Sequence, residues 1–345
     1  MSISSERIIF APRRLPQLQL PASLNYIGAF LTMDCNLNCS YCINDPEQAG
    51  DRRAIFHDSK VLRPEQWAQI FGRIPFRSDL PITLQGGEPM MYWKGKGIGM
   101  ILERSDNYFD LLTNFALQPE VFVRNLNNQQ HKLQRGTNVG MPYQSIRVSY
   151  HAKEMNRVWR TGIDELVRRC ERLRDFGFMV SRDRDKSDVC IYMVGHPENE
   201  LPKVDADVMF EVKPFLGMHD GKLYGDYMYP HSTDLVERGL HPTSLKCECR
   251  TTELLIDPVG DVWDCHYHLY QAWLGRREYR PVGNMLDPAF SMDKLAEFHA
   301  CNDYGKCVGC DTKIKNNRFM SLMQGKPHTS VEIRNIRWPK GLPRV

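Results

Sequence analysis

Three cysteines lie close together near the start of the chain, at Cys35, Cys39 and Cys42. A [4Fe–4S] cluster contains four irons and normally takes four thiolates. Three thiolates from one loop would therefore leave one iron open to bind a further molecule. A zinc site that takes its fourth ligand from elsewhere in the chain uses a similar spacing. The spacing predicts a metal site, with an iron–sulfur cluster and a zinc ion as the alternatives.

A second motif, Gln-Gly-Gly-Glu-Pro at positions 85–89, follows the next apolar run of the chain. Two adjacent glycines let backbone groups approach a ligand closely, and Glu88 offers an acceptor for an ammonium group. A zinc site has no use for these features. Because this turn comes one predicted strand–helix–strand unit after the cysteine loop, the combination favours the iron–sulfur cluster.

The Cys-x3-Cys-x2-Cys spacing, together with the Gly-Gly-Glu-Pro turn, resembles the radical S-adenosylmethionine (SAM) superfamily. The resemblance implies that the open iron chelates the amino and carboxylate groups of SAM. An electron from the cluster would cleave SAM to methionine and a 5′-deoxyadenosyl radical, which abstracts hydrogen from an unactivated carbon of the substrate. Reduction of the cluster would need a partner such as flavodoxin or ferredoxin.

The resemblance also implies which residues contact SAM. Gly86, Gly87, Glu88 and Pro89 match the turn that binds the methionyl amino group, and Tyr41 matches an aromatic residue near the adenine. Asn114 and Ser149 lie at or near strand ends where family members often place a polar residue on the ribose. The alternative for these two residues is an ordinary hydrogen bond to the backbone.

A second group of cysteines occupies the C-terminal part of the chain, at Cys247, Cys249, Cys265, Cys301, Cys307 and Cys310. The pattern Cys249-x10-Gly260-x4-Cys265 resembles the twitch or SPASM extension of radical SAM enzymes. The resemblance implies a hairpin followed by an auxiliary [4Fe–4S] cluster held by Cys249, Cys265, Cys307 and Cys310. A zinc ribbon is the alternative. Cys247 and Cys301 stay unassigned, as replacement ligands, as a hydrogen-atom donor or as structural cysteines.

Charged residues near these motifs are candidates for substrate contact. Glu211 and Lys213 alternate on a predicted strand, so both would point into the same space, and a charge there is costly unless it is paired or used. They are the catalytic candidates, for substrate positioning or proton transfer. His266 and His268 follow Cys265, and alternation on a strand would aim both to one side.

The elements that carry the motifs alternate between strands and helices. Apolar runs predict strands at 26–32, 81–84, 109–113, 145–150, 189–194 and 208–215, and apolar periodicity predicts helices at 63–74 and 164–176. This alternation indicates a parallel α/β sheet. The expected fold is a partial (β/α)6 TIM-like barrel with a small C-terminal iron–sulfur domain. The expected domains are an extension at 1–25, the barrel at 26–221, the auxiliary cluster domain at 222–318 and a tail at 319–345.

Composition limits the classes of function. The formal charge of +3 over 345 residues gives no support to a nucleic-acid partner. Neither a signal peptide nor a run of about 20 apolar residues is present, so a membrane span is not expected and the predicted location is the cytoplasm. Because thiols stay reduced there, eleven cysteines point to metal or redox chemistry rather than disulfides.

The sequence leaves the substrate open. Relatives with a twitch extension favour a small polar molecule such as a sugar, cyclitol or nucleotide. Modification of a peptide is the alternative, and the 25 residues before the first strand are too few for the recognition domain that many peptide-modifying relatives carry. A non-catalytic electron-transfer protein is a further alternative, disfavoured by the intact turn at 86–89.

Overall fold

The computed structural model describes residues 15–22, 24, 26–39, 42, 61–134, 143–159, 162–215, 217–220, 222–224, 247–251, 253–297, 299–301 and 331–334. A single nine-stranded sheet runs through this part of the chain. Six of its strands are parallel neighbours in chain order. They are β1 (Tyr26–Thr32), β2 (Ile82–Gly86), β3 (Phe109–Thr113), β4 (Ile146–Tyr150), β5 (Val189–Gly195) and β6 (Met209–Pro214).

These six strands confirm the predicted α/β fold with a parallel, partial-barrel sheet. Each lies within two residues of its predicted bounds, because each is a short apolar run that is buried on the helix side. Residues such as Ile27, Leu84, Leu111, Val148 and Ile191 are fully buried in the main core.

Helices connect the strands and cover one face of the sheet. They are α1 (Pro64–Gly72), α2 (Gly97–Glu103), α3 (Pro119–Asn125), α4 (Ala152–Trp159) and α5 (Gly162–Arg172). Trp67, Ile70 and Phe71 of α1 are fully buried, as their periodicity predicts. A 3-10 turn at Leu173–Phe176 continues α5, and Gly177 ends it in the left-handed conformation (φ 85°), which glycine adopts without strain.

The C-terminal segment extends the same sheet at its other end. β10 (Glu253–Ile256) pairs parallel with β1, and β11 (Asp261–Trp263) and β12 (Gly283–Asn284) follow antiparallel. The predicted hairpin therefore forms and is continuous with the barrel sheet through β1. Helix α6 (His266–Trp273) then packs on the face opposite the main helices, where Leu269 and Tyr270 contact Phe30 and Leu255 in a second, smaller core.

The remaining elements are short and lie outside the large sheet. β7 (Gly217–His219) pairs with β8 (Lys222–Tyr224), and β9 (Cys247–Thr251) pairs with β13 (His299–Cys301) and β14 (Val331–Arg334). Helix α7 (Asp293–Ala296) precedes β13. The predicted division at residue 221 stays a prediction. Among the described residues, every helix is too short or too polar to cross a membrane.

Candidate functional site

The cysteine loop begins directly after β1, at the carboxyl end of the parallel strands. Cys39 is buried, while Cys35 and Cys42 are half-buried. The loop turns tightly, since the backbone N–H of Cys42 donates to the Cys39 carbonyl (3.2 Å) and that of Leu37 donates to Cys35 Sγ (3.4 Å). Open α/β sheets place their ligand sites at this end of the strands.

The turn at 86–89 packs directly on the cysteine loop. Gly87 N–H donates to the Thr32 carbonyl (2.8 Å), and Glu88 N–H donates to the Asp34 carbonyl (2.7 Å). A Cβ on Gly86 or Gly87 would approach backbone oxygens of residues 32–34 closer than 3.0 Å. Gly86 also has φ of +144°, which other residues rarely adopt. The two glycines are therefore required for the approach of one loop to the other, a role that the sequence analysis assigned to ligand approach alone.

Glu88 is the buried link between this turn and β3. Its carboxylate accepts hydrogen bonds from Met90 N–H (2.9 Å), the Thr113 hydroxyl (2.7 Å) and Asn114 N–H (2.6 Å). Burial raises the pKa of Glu88 to about 7, against the lowering effect of these three donors. Glu88 is only 2% exposed, so its hydrogen bonds connect the turn to the end of β3 within the protein interior.

Asn114 connects the end of β3 to the cysteine loop. Its Nδ2 donates to Asn36 Oδ1 (2.6 Å) and lies 3.9 Å from Cys35 Sγ. Asn114 therefore lies at the predicted site, and its side-chain amide already donates one hydrogen bond within the protein, to Asn36. Ser149 lies half-buried on β4, opposite Tyr192 of β5.

Metal-ligating side chains also converge at the start of α6. Among the described residues, the group whose ligand atoms all lie within 4.8 Å of one another is Asp264, Cys265 and His268. The thiols of Cys35, Cys39 and Cys42 are not such a group.

Glu211 and Lys213 lie side by side on β6, the last strand of the sheet at that end. The Lys213 ammonium contacts Glu211 (2.6 Å), and Arg184 contacts the other carboxylate oxygen (2.7 Å). Burial raises the pKa of Glu211, but the hydrogen bonds and charges of Lys213 and Arg184 outweigh it and hold the pKa below its usual value. Lys213 also lies over the Tyr192 ring, 4.5 Å from its centroid. An ionised, paired carboxylate suits substrate positioning better than proton transfer.

Around Cys265 the structure corrects one expectation. His266 and His268 were expected to share one side of a strand, but Cys265 caps the start of α6 and both histidines are helical. Successive helical positions diverge by about 100°. His266 is consequently buried near Glu253 (3.4 Å), while His268 contacts Asp264 at the partly exposed end of the helix.

The hairpin turn before Cys265 is locked by Asp257. Its carboxylate accepts from the backbone of Val259 and Asp261 and from the indoles of Trp263 (3.0 Å) and Trp273 (3.3 Å). Burial raises the pKa of Asp257 to about 6. The turn and α6 are thereby held together, which positions Cys265 between them.

The other predicted cysteine ligands and the predicted aromatic residue are placed only in part. Tyr41, Cys307 and Cys310 fall outside the described residues. Cys249 lies on β9, for which the backbone alone is described. The backbone pairing of β9 with β13 places Cys247 opposite Cys301 and Cys249 opposite His299. The two unassigned cysteines are therefore neighbours across an antiparallel pair.

Sequence reasoning missed three residues that shape the site. Asn36 bonds Asn114, Thr32 Oγ1 accepts from Asp34 N–H (3.1 Å), and Glu154 accepts from Asn38 N–H (3.2 Å). Asn36 lies between Cys35 and Cys39, so its position in the motif could have marked it as a site residue. Glu154 lies on α4, far away in sequence, and no local pattern marks it.

No family model and no curated protein matches this sequence. Among solved structures, SuiB of Streptococcus suis bound to the precursor peptide SuiA matches with a TM-score of 0.43 and 12% identity, over 82% of this chain and 65% of SuiB. SuiB bound to S-adenosylmethionine matches with a TM-score of 0.32 and 14% identity, over 72% of this chain and 61% of SuiB. A polyhistidine-tagged anSMEcpe with bound AdoMet matches with a TM-score of 0.41 and 12% identity, over 82% of this chain and 80% of that one.

This chain thus spans about two thirds of the length of SuiB. Because every one of these TM-scores lies below 0.5, the family and the activity of this chain rest on its own residues.

Proposed function

We propose that this protein is a radical SAM enzyme, with a [4Fe–4S] cluster on Cys35, Cys39 and Cys42 and SAM on the open iron. One observation carries the proposal: the turn at 86–89 is bonded to the backbone of the cysteine loop through Gly87 and Glu88. The two motifs of the radical SAM pattern thus form one loop pair at the carboxyl end of a parallel sheet. When bound, the cluster and SAM supply a 5′-deoxyadenosyl radical.

The residues around the loop pair have binding roles in this proposal. Gly86, Gly87 and Pro89 shape the turn that receives the methionyl group, and Glu88 holds that turn against β3. Asn114 and Ser149 contact the ribose. Tyr41 lies near the adenine, as the resemblance implies. The assignments of the turn and of Asn114 rest on the hydrogen bonds that join them to the cysteine loop, and those of Ser149 and Tyr41 rest on the resemblance.

An auxiliary [4Fe–4S] cluster is a second part of the proposal. Its ligands from the resemblance are Cys249, Cys265, Cys307 and Cys310. Support comes from the hairpin of β10 and β11, because Cys265 follows two residues after its second strand. Such a cluster would accept an electron from a substrate radical, and the overall reaction would then be an oxidation.

For the substrate, we place a peptide ahead of the small polar molecule that the sequence favoured. In the described part of the chain the large sheet ends at β6, so backbone groups of that strand face away from β5 without a neighbouring strand. An extended peptide can pair with such an edge. Arg184, Glu211 and Lys213 lie on or beside β6 and would select polar or charged peptide side chains. A small polar substrate at the same charges is the second candidate.

A flavodoxin or ferredoxin would reduce the cluster, and the cytoplasm is the proposed location. Both follow from the cluster chemistry, which needs an electron donor and reducing surroundings.

Formation of 5′-deoxyadenosine tests the proposal. The protein is reconstituted anaerobically with iron and sulfide, reduced with dithionite and supplied with SAM. We expect 5′-deoxyadenosine and methionine from the wild type and neither from a C35A/C39A/C42A variant. The matched control is C170A, since Cys170 is a buried cysteine of α5 that belongs to neither cysteine group and packs in the main core. If the iron-loaded wild type leaves SAM intact, the proposal that this protein is a radical SAM enzyme is wrong.

Substrate class is tested in the same assay by adding pooled small peptides or pooled sugars, cyclitols and nucleosides. The peptide proposal predicts a faster release of 5′-deoxyadenosine with the peptide pool, and E211Q should reduce that stimulation. If only the pool of sugars, cyclitols and nucleosides speeds the release of 5′-deoxyadenosine, the peptide proposal is wrong and the substrate is a small polar molecule.

A further inference from the structure

We infer that Arg147 and Gln85 bind a carboxylate group of the substrate. Both side chains lie on the face of the sheet opposite the main helices, which we call the inner face. The inference rests on the proposed function for the reaction, and it adds the chemical group by which the substrate is held. It applies to a peptide and to a small polar substrate alike, because either can carry a carboxylate.

Alternation along β4 places Arg147 on the inner face. Ile146, Val148 and Tyr150 pack in the main core on the helix side, so Arg147 and Ser149 point to the opposite side of the strand. Both are half-buried, so this part of the inner face is accessible. Arg147 precedes Ser149 by two residues and therefore lies roughly 6–7 Å farther from the carboxyl ends of the strands.

The contacts of the Arg147 guanidinium are with neutral groups. Its Nη2 donates to the Thr83 hydroxyl (3.1 Å), and the guanidinium lies over the Tyr143 ring, 4.2 Å from the centroid. Within the described part of the chain, no carboxylate forms an ion pair with it, and Glu211 of β6 pairs with two other cations. Since a half-buried charge is costly unless it is paired or used, this guanidinium indicates an anionic ligand.

Gln85 brings an amide to the same place from β2. The residue is 7% exposed, and its Nε2 has no hydrogen-bond acceptor among the described residues, although buried polar groups are nearly always hydrogen-bonded. The amide lies over Gly28, where a Cβ would come within 2.4 Å of Nε2. Gly28 of β1 is in register with Thr83 of β2. Gln85 and Arg147 therefore approach Thr83 from opposite sides.

A carboxylate fits these donors in geometry and in charge. A guanidinium presents parallel N–H groups that match the two oxygens of a carboxylate, and an amide can donate a further hydrogen bond without adding charge. The single positive charge of Arg147 balances one negative charge. A phosphate group carries more negative charge than that, and Lys213 of β6 is already paired with Glu211.

Two other roles for Arg147 make different predictions. The methionyl group of SAM also has a carboxylate, but the turn at 86–89 that would receive it lies at the carboxyl ends of the strands, whereas Arg147 lies deeper. Arg147 could instead be a structural counter-charge for Asp110, which is fully buried on β3 in register with Thr83. The guanidinium would then control SAM affinity or stability instead of the choice of substrate.

The test measures the release of 5′-deoxyadenosine with paired substrate pools. One pair is a pool of short amidated peptides rich in Asp and Glu, and the same peptides with Asn and Gln in their place. The other pair is a pool of sugar acids and the corresponding neutral sugars. Each rate is divided by the rate of the same protein without added substrate, so an effect on SAM cleavage alone cancels. We expect the wild type to prefer the acidic pool of one pair, and that pair identifies a peptide or a sugar as the source of the carboxylate.

R147Q should remove this preference, with about tenfold less stimulation by the acidic pool, since hydrogen bonds to a charged group are lost. R147K should weaken the preference without removing it, because an ammonium keeps the charge but lacks the two-pronged geometry. Q85L should reduce the stimulation by about threefold, the loss of one hydrogen bond. R124Q is the matched control, since Arg124 is an exposed arginine on α3, and it should keep the preference.

Calorimetry with SAM and urea unfolding separate the competing roles. Lower SAM affinity in R147Q with an unchanged preference would assign Arg147 to SAM, and lower stability that D110N restores, again with an unchanged preference, would assign it to Asp110. Either result overturns the inference, as does a wild type that prefers neither acidic pool. If R147Q does not fold, R147K decides, because an unchanged preference in that variant also overturns the inference. A wild type that forms no 5′-deoxyadenosine under any condition refutes the proposed function as well, whereas SAM cleavage without an acidic preference refutes this inference alone.

Discussion

Replacing Gly87 by alanine should break the connection between the two loops of the site. The added Cβ would lie closer than 3.0 Å to backbone oxygens of Met33 and Asp34. Because these are backbone atoms, no side-chain rotation relieves the overlap, and the turn at 86–89 must move away from the cysteine loop.

The size of the effect follows from the hydrogen bonds that this movement breaks. They are the bonds from Gly87 to Thr32 and from Glu88 to Asp34, at about 0.5–1.5 kcal/mol each. Overpacking a tight site adds about 1–3 kcal/mol. We therefore expect G87A to lower the free energy of unfolding by about 2–6 kcal/mol, a large share of the roughly 5–15 kcal/mol of a typical domain.

Urea unfolding followed by circular dichroism measures this loss. The matched control is G72A, because a Cβ on Gly72 meets nothing within 4 Å and the residue ends α1. Alanine in a helix is favoured over glycine by roughly 0.5–1 kcal/mol, so G72A should leave stability unchanged or raise it. If G87A unfolds within about 0.5 kcal/mol of the wild type, a level typical of surface substitutions, the proposed contact between the loops is wrong.

Three further predictions concern neighbouring residues. Since burial raises the folded-state pKa of Glu88 from 4.5 to about 7, its contribution to stability is full below pH 4.5 and is lost as the pH rises to about 7. The free energy of unfolding of the wild type should fall by about 2–4 kcal/mol over that interval, and urea titrations of E88Q should show a smaller fall. E211Q removes the carboxylate that pairs with Lys213 and Arg184. We expect SAM cleavage without substrate to be unchanged and substrate turnover to be roughly tenfold slower, which corresponds to an activation free energy about 1.4 kcal/mol higher. Product and 5′-deoxyadenosine are measured in the same assay. S149A should weaken SAM binding about three- to tenfold in calorimetry, the loss of one hydrogen bond, and an unchanged Kd would remove Ser149 from the site.

The parallel sheet could be predicted because its strands are short, apolar and buried. In β1, for example, the predicted and observed bounds coincide, since one continuous apolar run pairs on both sides. The hairpin at β10 and β11 was predictable from the spacing of Cys249, Gly260 and Cys265, through the resemblance that this spacing carries. Its pairing with β1 was not, because parallel pairing of segments more than 200 residues apart leaves no local pattern.

For the site, residue types were predictable and contacts were not. The motif placed Gly86 and Gly87 near a ligand, yet the structure shows that both are needed for the approach of two backbones. His266 and His268 were expected on one side of a strand. A helix forms there instead of a strand, because Cys265 caps its start and because Leu269 and Tyr270 pack against Phe30.

The central claim is that the thiols of Cys35, Cys39 and Cys42 hold a cluster whose open iron binds SAM. Electron paramagnetic resonance of the reduced wild-type protein with and without SAM, using SAM labelled with ¹⁵N at its amino group, tests it most directly. The account predicts a ¹⁵N coupling to a cluster signal that C35A/C39A/C42A lacks. Zinc in place of iron at this loop, or a cluster signal that SAM leaves unchanged, would contradict it.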